Sequence, residues 1–163
     1  MSTKITIRRA GKEDQFAVGQ LINGIQREEF GIPITLQDQP DLADIDGFYR
    51  TGAGDFWVAE SSGQIVGTIA LVDIGQGAGA LRKMFVQKDF RGVEVGVALE
   101  LLKTLLAQAI ESGLKRIFLG TTAQFLAAHR FYEKNGFALI SADHLPERFP
   151  RMDVDIRFYV YDL

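Results

Sequence analysis

Two groups of residues in this chain have types and spacing that could do chemistry. The first is Arg91-Gly92-Val93-Glu94-Val95-Gly96, preceded by the polar turn Gln87-Lys88-Asp89. It follows an apolar segment, Leu81–Val86, interrupted only by Arg82 and Lys83, and leads into apolar residues at 95, 98, 99, 102, 105, 106 and 109. Those positions repeat as one face of a helix. A strand, a basic glycine-bearing turn and a helix start direct unpaired N–H groups and the positive helix end at one point, which suits an anion such as a phosphate. Gly92 and Gly96 remove side chains where a ligand would approach the backbone. Read alone, the turn is equally explained by glycines that only satisfy loop geometry. The second group is Ala127-Ala128-His129-Arg130-Phe131-Tyr132-Glu133-Lys134-Asn135-Gly136-Phe137, a helical segment closed by Asn-Gly.

The elements that must position these groups follow from periodicity. Lys4–Arg9 alternates and reads as a strand, and Glu13–Ile25 is amphipathic, with Phe16, Ala17, Leu21, Ile22 and Ile25 as its apolar stripe. Gly31, Pro33 and Pro40 break any helix over Arg27–Pro40, and Asp41–Arg50 reads as a short helix capped by Asp41. Asp55–Glu60 and Gln64–Asp73 form a predicted hairpin around Ser61-Ser62-Gly63. Gly75–Gly79 reads as a turn between antiparallel strands, because strands flank it on both sides. Leu114–Leu119, Phe137–Ile140 and Asp155–Tyr161 are further strands, with a helix over Gln124–Lys134. The order is one strand, two helices, three strands, helix, strand, helix, two strands: a mixed α/β chain on one sheet.

Composition narrows the function. The 163 residues suit one domain with its own core, and 47% hydrophobic and 24% charged content are ordinary for a globular protein. No apolar run approaches the ~18 residues of a membrane span, and the N-terminus carries no signal-peptide core, so a cytoplasmic protein without a membrane partner is expected. The chain has no cysteine, hence no disulfide, thiolate metal site or cysteine nucleophile. His129 and His144 are too few and too far apart for a histidine zinc site, and no metal is expected. A formal charge of −3 without a basic stripe argues against a nucleic-acid partner. Asp153 and Asp155 read as a solvated strand edge, His129 as a polar helix position, and Phe56 and Trp57 as core.

With both groups in view, the chain resembles the GNAT (GCN5-related) N-acetyltransferase family over essentially its whole length. The segment Ala127–Phe137 is similar to that family's A-x-x-x-Y-E-K-x-G-F pattern, and Arg91 and Gly96 take the outer places of its phosphate turn. The resemblance implies one acetyltransferase domain over 1–163, a mostly antiparallel sheet flanked by helices, and a central strand pair that splays apart. It implies acetyl-CoA as cosubstrate, lying along the backbone of Met84, Phe85 and Val86. Its pyrophosphate would sit on Arg91, Gly92, Val93, Glu94, Val95 and Gly96. Tyr132 matches the tyrosine beside the CoA sulfur. Gln124 stands in part for an asparagine that many members carry where this chain has Phe125. Glu94 replaces the first glycine of the family turn; a side chain pointing inward there would weaken CoA binding, which leaves a non-catalytic CoA-binding or regulatory relative as the alternative. A longer acyl group, with Phe85 and Phe125 shaping its pocket, is a third reading.

The expected acceptor is the amine of a small molecule or peptide, acetylated by direct attack in a ternary complex, since no cysteine can carry the acetyl group. The resemblance implies a base, which some relatives carry on the strand at 80–86; here that strand has no acid. Glu29 and Glu28, in the broken segment that should overhang the acceptor pocket, are the next candidates, with Asp73 another, and a solvated surface carboxylate explains each of them at least as well. Glu28, Glu29, Asp38, Asp41, Asp44 and Asp46 give Arg27–Arg50 an acidic tilt. That tilt suits a cationic amine such as a polyamine, an aminoglycoside or a lysine side chain, and solvated charge explains it equally well. A homodimer is expected by resemblance only.

Overall fold

The computed structural model describes residues 4–92 and 96–163. The roles expected of Val93, Glu94 and Val95 therefore lie outside the described residues. Strands β1 (Thr6–Arg9), β2 (Asp55–Ser61), β3 (Gln64–Gly75), β4 (Ala78–Val86), β5 (Arg116–Thr121), β6 (Ala138–Ile140) and β7 (Arg157–Asp162) form one sheet in the order β1-β2-β3-β4-β5-β7-β6. Every pairing is antiparallel except β4 with β5.

Period-two alternation on β2 sends side chains to both faces. Phe56 and Val58 pack with Val18 and Ile22 of helix α1 (Gln15–Gly24) and with Ile45 and Tyr49 of helix α2 (Ile45–Tyr49). Trp57 and Ala59 pack with Val97, Leu101 and Leu105 of helix α3 (Val97–Glu111) on the other face, where Tyr132 of helix α4 (Leu126–Lys134) also lies. The mixed, mostly antiparallel sheet flanked by helices is the expected architecture. Among the described residues, no helix is long and apolar enough to cross a membrane.

Two local expectations change. Helix α1 turns Val18 and Ile22 inward, leaving Phe16 78% exposed, because the face it buries is chosen by Leu42 and Ile45 across the chain. The helix continues into a wider π-helical turn, Ile25–Glu29. Asp41 does not cap α2. Asp44 does, accepting from the Gly47 N–H at 3.0 Å, while Asp41 is buried in the 3-10 turn Pro40–Ala43.

The feature that matters for function is where β4 and β5 part. They pair only at Ala78↔Arg116, Gly79↔Ile117 and Ala80↔Phe118. Beyond that point β5 stays with β7 up to Thr121↔Arg157, while β4 follows β3 up to Val86↔Gly67. The two central strands thus open into a cleft, and among the described residues β4 has an edge without a ladder partner on its β5 side.

Candidate active site

A cavity of about 630 Å³ lies in this cleft. Met84, Phe85 and Val86 line it from β4, Gly92 and Gly96 from the turn before α3, and Gln124 and Tyr132 from the other wall. Arg91 also reaches it. These are all the described residues expected to contact the cosubstrate, together with the expected tyrosine. Glu29 is not among the lining residues.

The geometry of β4 depends on a bulge. Thr68 pairs with Phe85 and Ala70 with Arg82, so Ile69 alone stands opposite both Lys83 and Met84. Lys83 adopts φ 52°, a left-handed conformation that a residue with a Cβ holds only when its surroundings impose it. The buried Thr68 hydroxyl donates to the Lys83 carbonyl at 2.7 Å and pins the extra residue in place. A bulge re-aims side chains, and here Arg82 and Lys83 both project into the cavity region although they are consecutive.

Two glycines of left-handed backbone precede α3 on the cavity side. Gly92 has φ 108° and Gly96 φ 72°, values that a side chain would oppose. Gly96 stands at the N-cap of a 15-residue helix whose first N–H groups lack intrahelical partners, and Ala98 and Leu99 of that turn face the cavity. Arg91 is tied down: its Nε donates to the Val86 carbonyl at 2.8 Å, and its Nη2 donates to Glu29 Oε1 at 2.7 Å. Its Nη1 donates to the other Glu29 oxygen, and its guanidinium lies 5.7 Å from the Phe30 ring centre. Hydrogen bonding to Arg91 holds the Glu29 carboxyl below its ordinary pKa. Phe125 stacks edge-on with Phe30 at 4.9 Å and Phe85 at 5.8 Å, joining the wall at 124–126 to the end of the π-helical turn.

Tyr132 is 5% exposed, and its hydroxyl donates to Met84 Sδ at 3.6 Å. Burial raises the phenol pKa, so the hydroxyl keeps its proton. Its ring rests against Phe131, Phe137 and Tyr159, with ring centres 5.9, 5.5 and 6.0 Å away.

Below the bulge lies a polar group that periodicity did not announce. Lys83, with a 4% exposed side chain, has its Nζ 3.7 Å from Asp41 Oδ2 and donates to Gln39 Oε1. The Tyr49 hydroxyl donates to the same Asp41, and Gln26 and Gln39 exchange hydrogen bonds at 3.1 and 2.8 Å. Burial lowers the Lys83 pKa to about 8. Asp155, expected at a solvated edge, is only 9% exposed and lines the cavity, because β7 begins two residues later and the preceding turn folds inward beside Gly120. Burial raises its pKa. His129 is likewise buried, its Nε2 3.0 Å from the Thr122 carbonyl, and burial lowers its pKa.

The model of the acetyltransferase (GNAT) family matches residues 21–137. The chain belongs to the GNAT family. It is 38% identical over 99 residues to N-acetylaspartate synthetase of Danio rerio, covering 60% of this chain and 34% of that protein. It is 37% identical over 107 residues to the human N-acetylaspartate synthetase, covering 64% and 35%. The chain thus spans about a third of the length of these curated relatives. A GNAT-family acetyltransferase from Staphylococcus aureus Mu50 superimposes with a TM-score of 0.95 at 37% identity, over 98% of this chain and 99% of that one. An acetyltransferase from Streptococcus agalactiae gives 0.90 at 30% identity, over 99% and 98%.

In this GNAT fold the acidic tilt of Arg27–Arg50 does not reach the cavity. Asp38 bonds Thr35, Asp44 caps α2, Asp46 pairs with Arg50, and none of these, nor Asp41, is among the cavity-lining residues. Arg82, Lys83 and Asp155 are buried or half-buried charges lining the cavity that the sequence did not place there. The available signal was Arg82-Lys83 inside an otherwise apolar strand, since buried cations need partners.

Proposed function

We propose that this protein transfers the acetyl group of acetyl-CoA to a primary amine by direct attack in a ternary complex, and that residues 1–163 act as one acetyltransferase domain. The observation that carries the reading is one continuous cavity joining the glycine turn at the start of α3, the unladdered edge of β4 and the Tyr132 hydroxyl. The N–H groups of that turn suit the pyrophosphate. The free edge of β4 at Met84, Phe85 and Val86 suits the pantetheine arm and offers a fixed N–H to an oxyanion. Gln124 borders the arm from the opposite wall. Tyr132 gives its proton to the departing sulfur, a role for which a buried, protonated phenol is prepared. Glu29 is engaged with Arg91, so we assign it the neutralisation of that guanidinium and not removal of the amine proton.

The curated relatives named for N-acetylaspartate support an amine acceptor. Calorimetric titration with acetyl-CoA and CoA tests the cosubstrate, and thiol release on adding amines tests the transfer. Micromolar acetyl-CoA binding followed by amine-dependent thiol release is the expected result. Absence of binding refutes the reading, and binding without transfer to any amine would leave a CoA-binding protein that does not catalyse.

A further inference from the structure

The charged side chains that line the cavity are Arg82, Lys83, Arg91, Arg130, Lys134 and Asp155. Most of the cations are accounted for. Lys83 is neutralised by Asp41 and Arg91 by Glu29, while Arg130 and Lys134, which also make no ion pair among the described residues, stand on the exposed side of α4 where water solvates them. Arg82 differs in being half-buried: among the described residues its side chain makes no hydrogen bond and no ion pair, and the guanidinium fork matches a carboxylate in geometry. The bulge at Lys83 puts it there, because its cross-strand neighbour is Ala70, on the face that packs against α1 and α2.

Asp155 supplies the opposite charge. Its Oδ2 accepts from the Met152 N–H at 3.2 Å, and Oδ1 accepts nothing among the described residues. Arg82 and Asp155 thus present an unpartnered cation and a carboxylate oxygen with free lone pairs to one cavity, and Lys83 is held out of the exchange by its own acid. We propose that the acceptor is an amine that itself carries a carboxylate, a free amino acid, with its carboxylate on Arg82 and its ammonium on Asp155. This rests on the acetyl-transfer reading above.

The reaction then balances within the site. The ammonium passes one proton to Asp155 and becomes a free amine. Its nitrogen bonds the thioester carbonyl carbon, the C–S bond breaks, and the sulfur takes the Tyr132 proton. The second amine proton passes to the phenolate and restores Tyr132, and Asp155 releases the proton it took to solvent. The products are the N-acetylated amino acid, free CoA and one proton.

The test compares L-aspartate and L-alanine with ethylamine, which is alanine without its carboxylate, and with spermidine. Thiol release is read for the wild type and for Arg82→Gln, with acetyl-CoA affinity measured by calorimetry on both. The amino acids are expected to exceed ethylamine and spermidine in kcat/KM by at least about tenfold, in keeping with a charge-assisted hydrogen-bond pair. Arg82→Gln is expected to raise the KM for alanine by about the same factor, with no matching change for ethylamine. Arg82 has no partner to lose, so the variant is expected to fold, which its thermal unfolding checks. Equal or better turnover of ethylamine or spermidine overturns the proposal. So does an unchanged alanine KM in the variant, or no amino-acid turnover while acetyl-CoA binds. Failure of acetyl-CoA to bind at all refutes the underlying reading instead.

Discussion

Replacing Tyr132 by phenylalanine should move stability and catalysis in opposite directions. The ring stays, so the contacts with Phe131, Phe137 and Tyr159 are kept. Only the hydroxyl is removed, and its one partner is a thioether at 3.6 Å, a weak acceptor. A buried hydroxyl without a good acceptor costs ~1–3 kcal/mol of desolvation, of which the sulfur returns part. Its loss should leave the fold unchanged or more stable by up to about 1 kcal/mol. For a chain of this size that is a rise in Tm of at most about 4 °C. Catalysis loses the proton donor to the leaving thiolate, for which general acid chemistry predicts a ~10²–10⁴-fold fall in kcat. That fall equals ~3–5 kcal/mol of barrier. Thiol release with an amine acceptor at saturating acetyl-CoA, beside a thermal melt of both proteins, measures the two effects together. A kcat within about threefold of wild type would refute the assignment of Tyr132 as acid. A Tm lowered by several degrees would refute the claim that its hydroxyl is poorly partnered.

Other outcomes follow from the same geometry. Glu29→Gln frees the Arg91 fork and removes a negative charge beside the turn; because the pair is partly exposed, acetyl-CoA should bind about two- to fivefold more tightly by calorimetry. Unchanged or weaker binding would contradict this, and a kcat loss near hundredfold would restore Glu29 as the base. Thr68→Val leaves the Lys83 carbonyl without its buried donor and should cost ~1–3 kcal/mol in denaturant unfolding, whereas a midpoint equal to wild type would mean the bulge does not need that bond. For Lys83 the folded chain sheds its proton near pH 8 while the unfolded chain keeps it to about 10.5. The unfolded state then binds more protons across that window, so this group adds stability as pH rises, by up to about 3 kcal/mol. Denaturant midpoints of wild type and Lys83→Met at pH 8 and pH 10 check it: the variant should lose that rise, and parallel profiles would refute it.

What was legible in the sequence was local. The apolar spacing from Val97 onward, the alternation of Phe56-Trp57-Val58-Ala59 and the glycines at 92 and 96 specify helix, strand and turn through contacts between near neighbours, so the order of elements followed directly. The Ala127–Phe137 segment likewise carried the family in a few consecutive positions. The rest depended on residues far apart in the chain. Lys83 meets Gln39 and Asp41, Arg91 meets Glu29, and Tyr132 meets Met84, and no periodicity encodes such pairs. The bulge at Lys83 is a mismatch of register between β3 and β4, invisible in either strand alone, and it decides which way Arg82 projects. Asp155 and Asp153 have the spacing of one strand face, yet burial depends on what covers a residue, and the turn before β7 carries Asp155 inside while Asp153 stays exposed. Sequence alone therefore determined the order of elements on a GNAT sheet and the glycines at 92 and 96 before its long helix. Only the tertiary structure decided which charges remain unpaired in its cavity, because pairing and desolvation are properties of the packed chain.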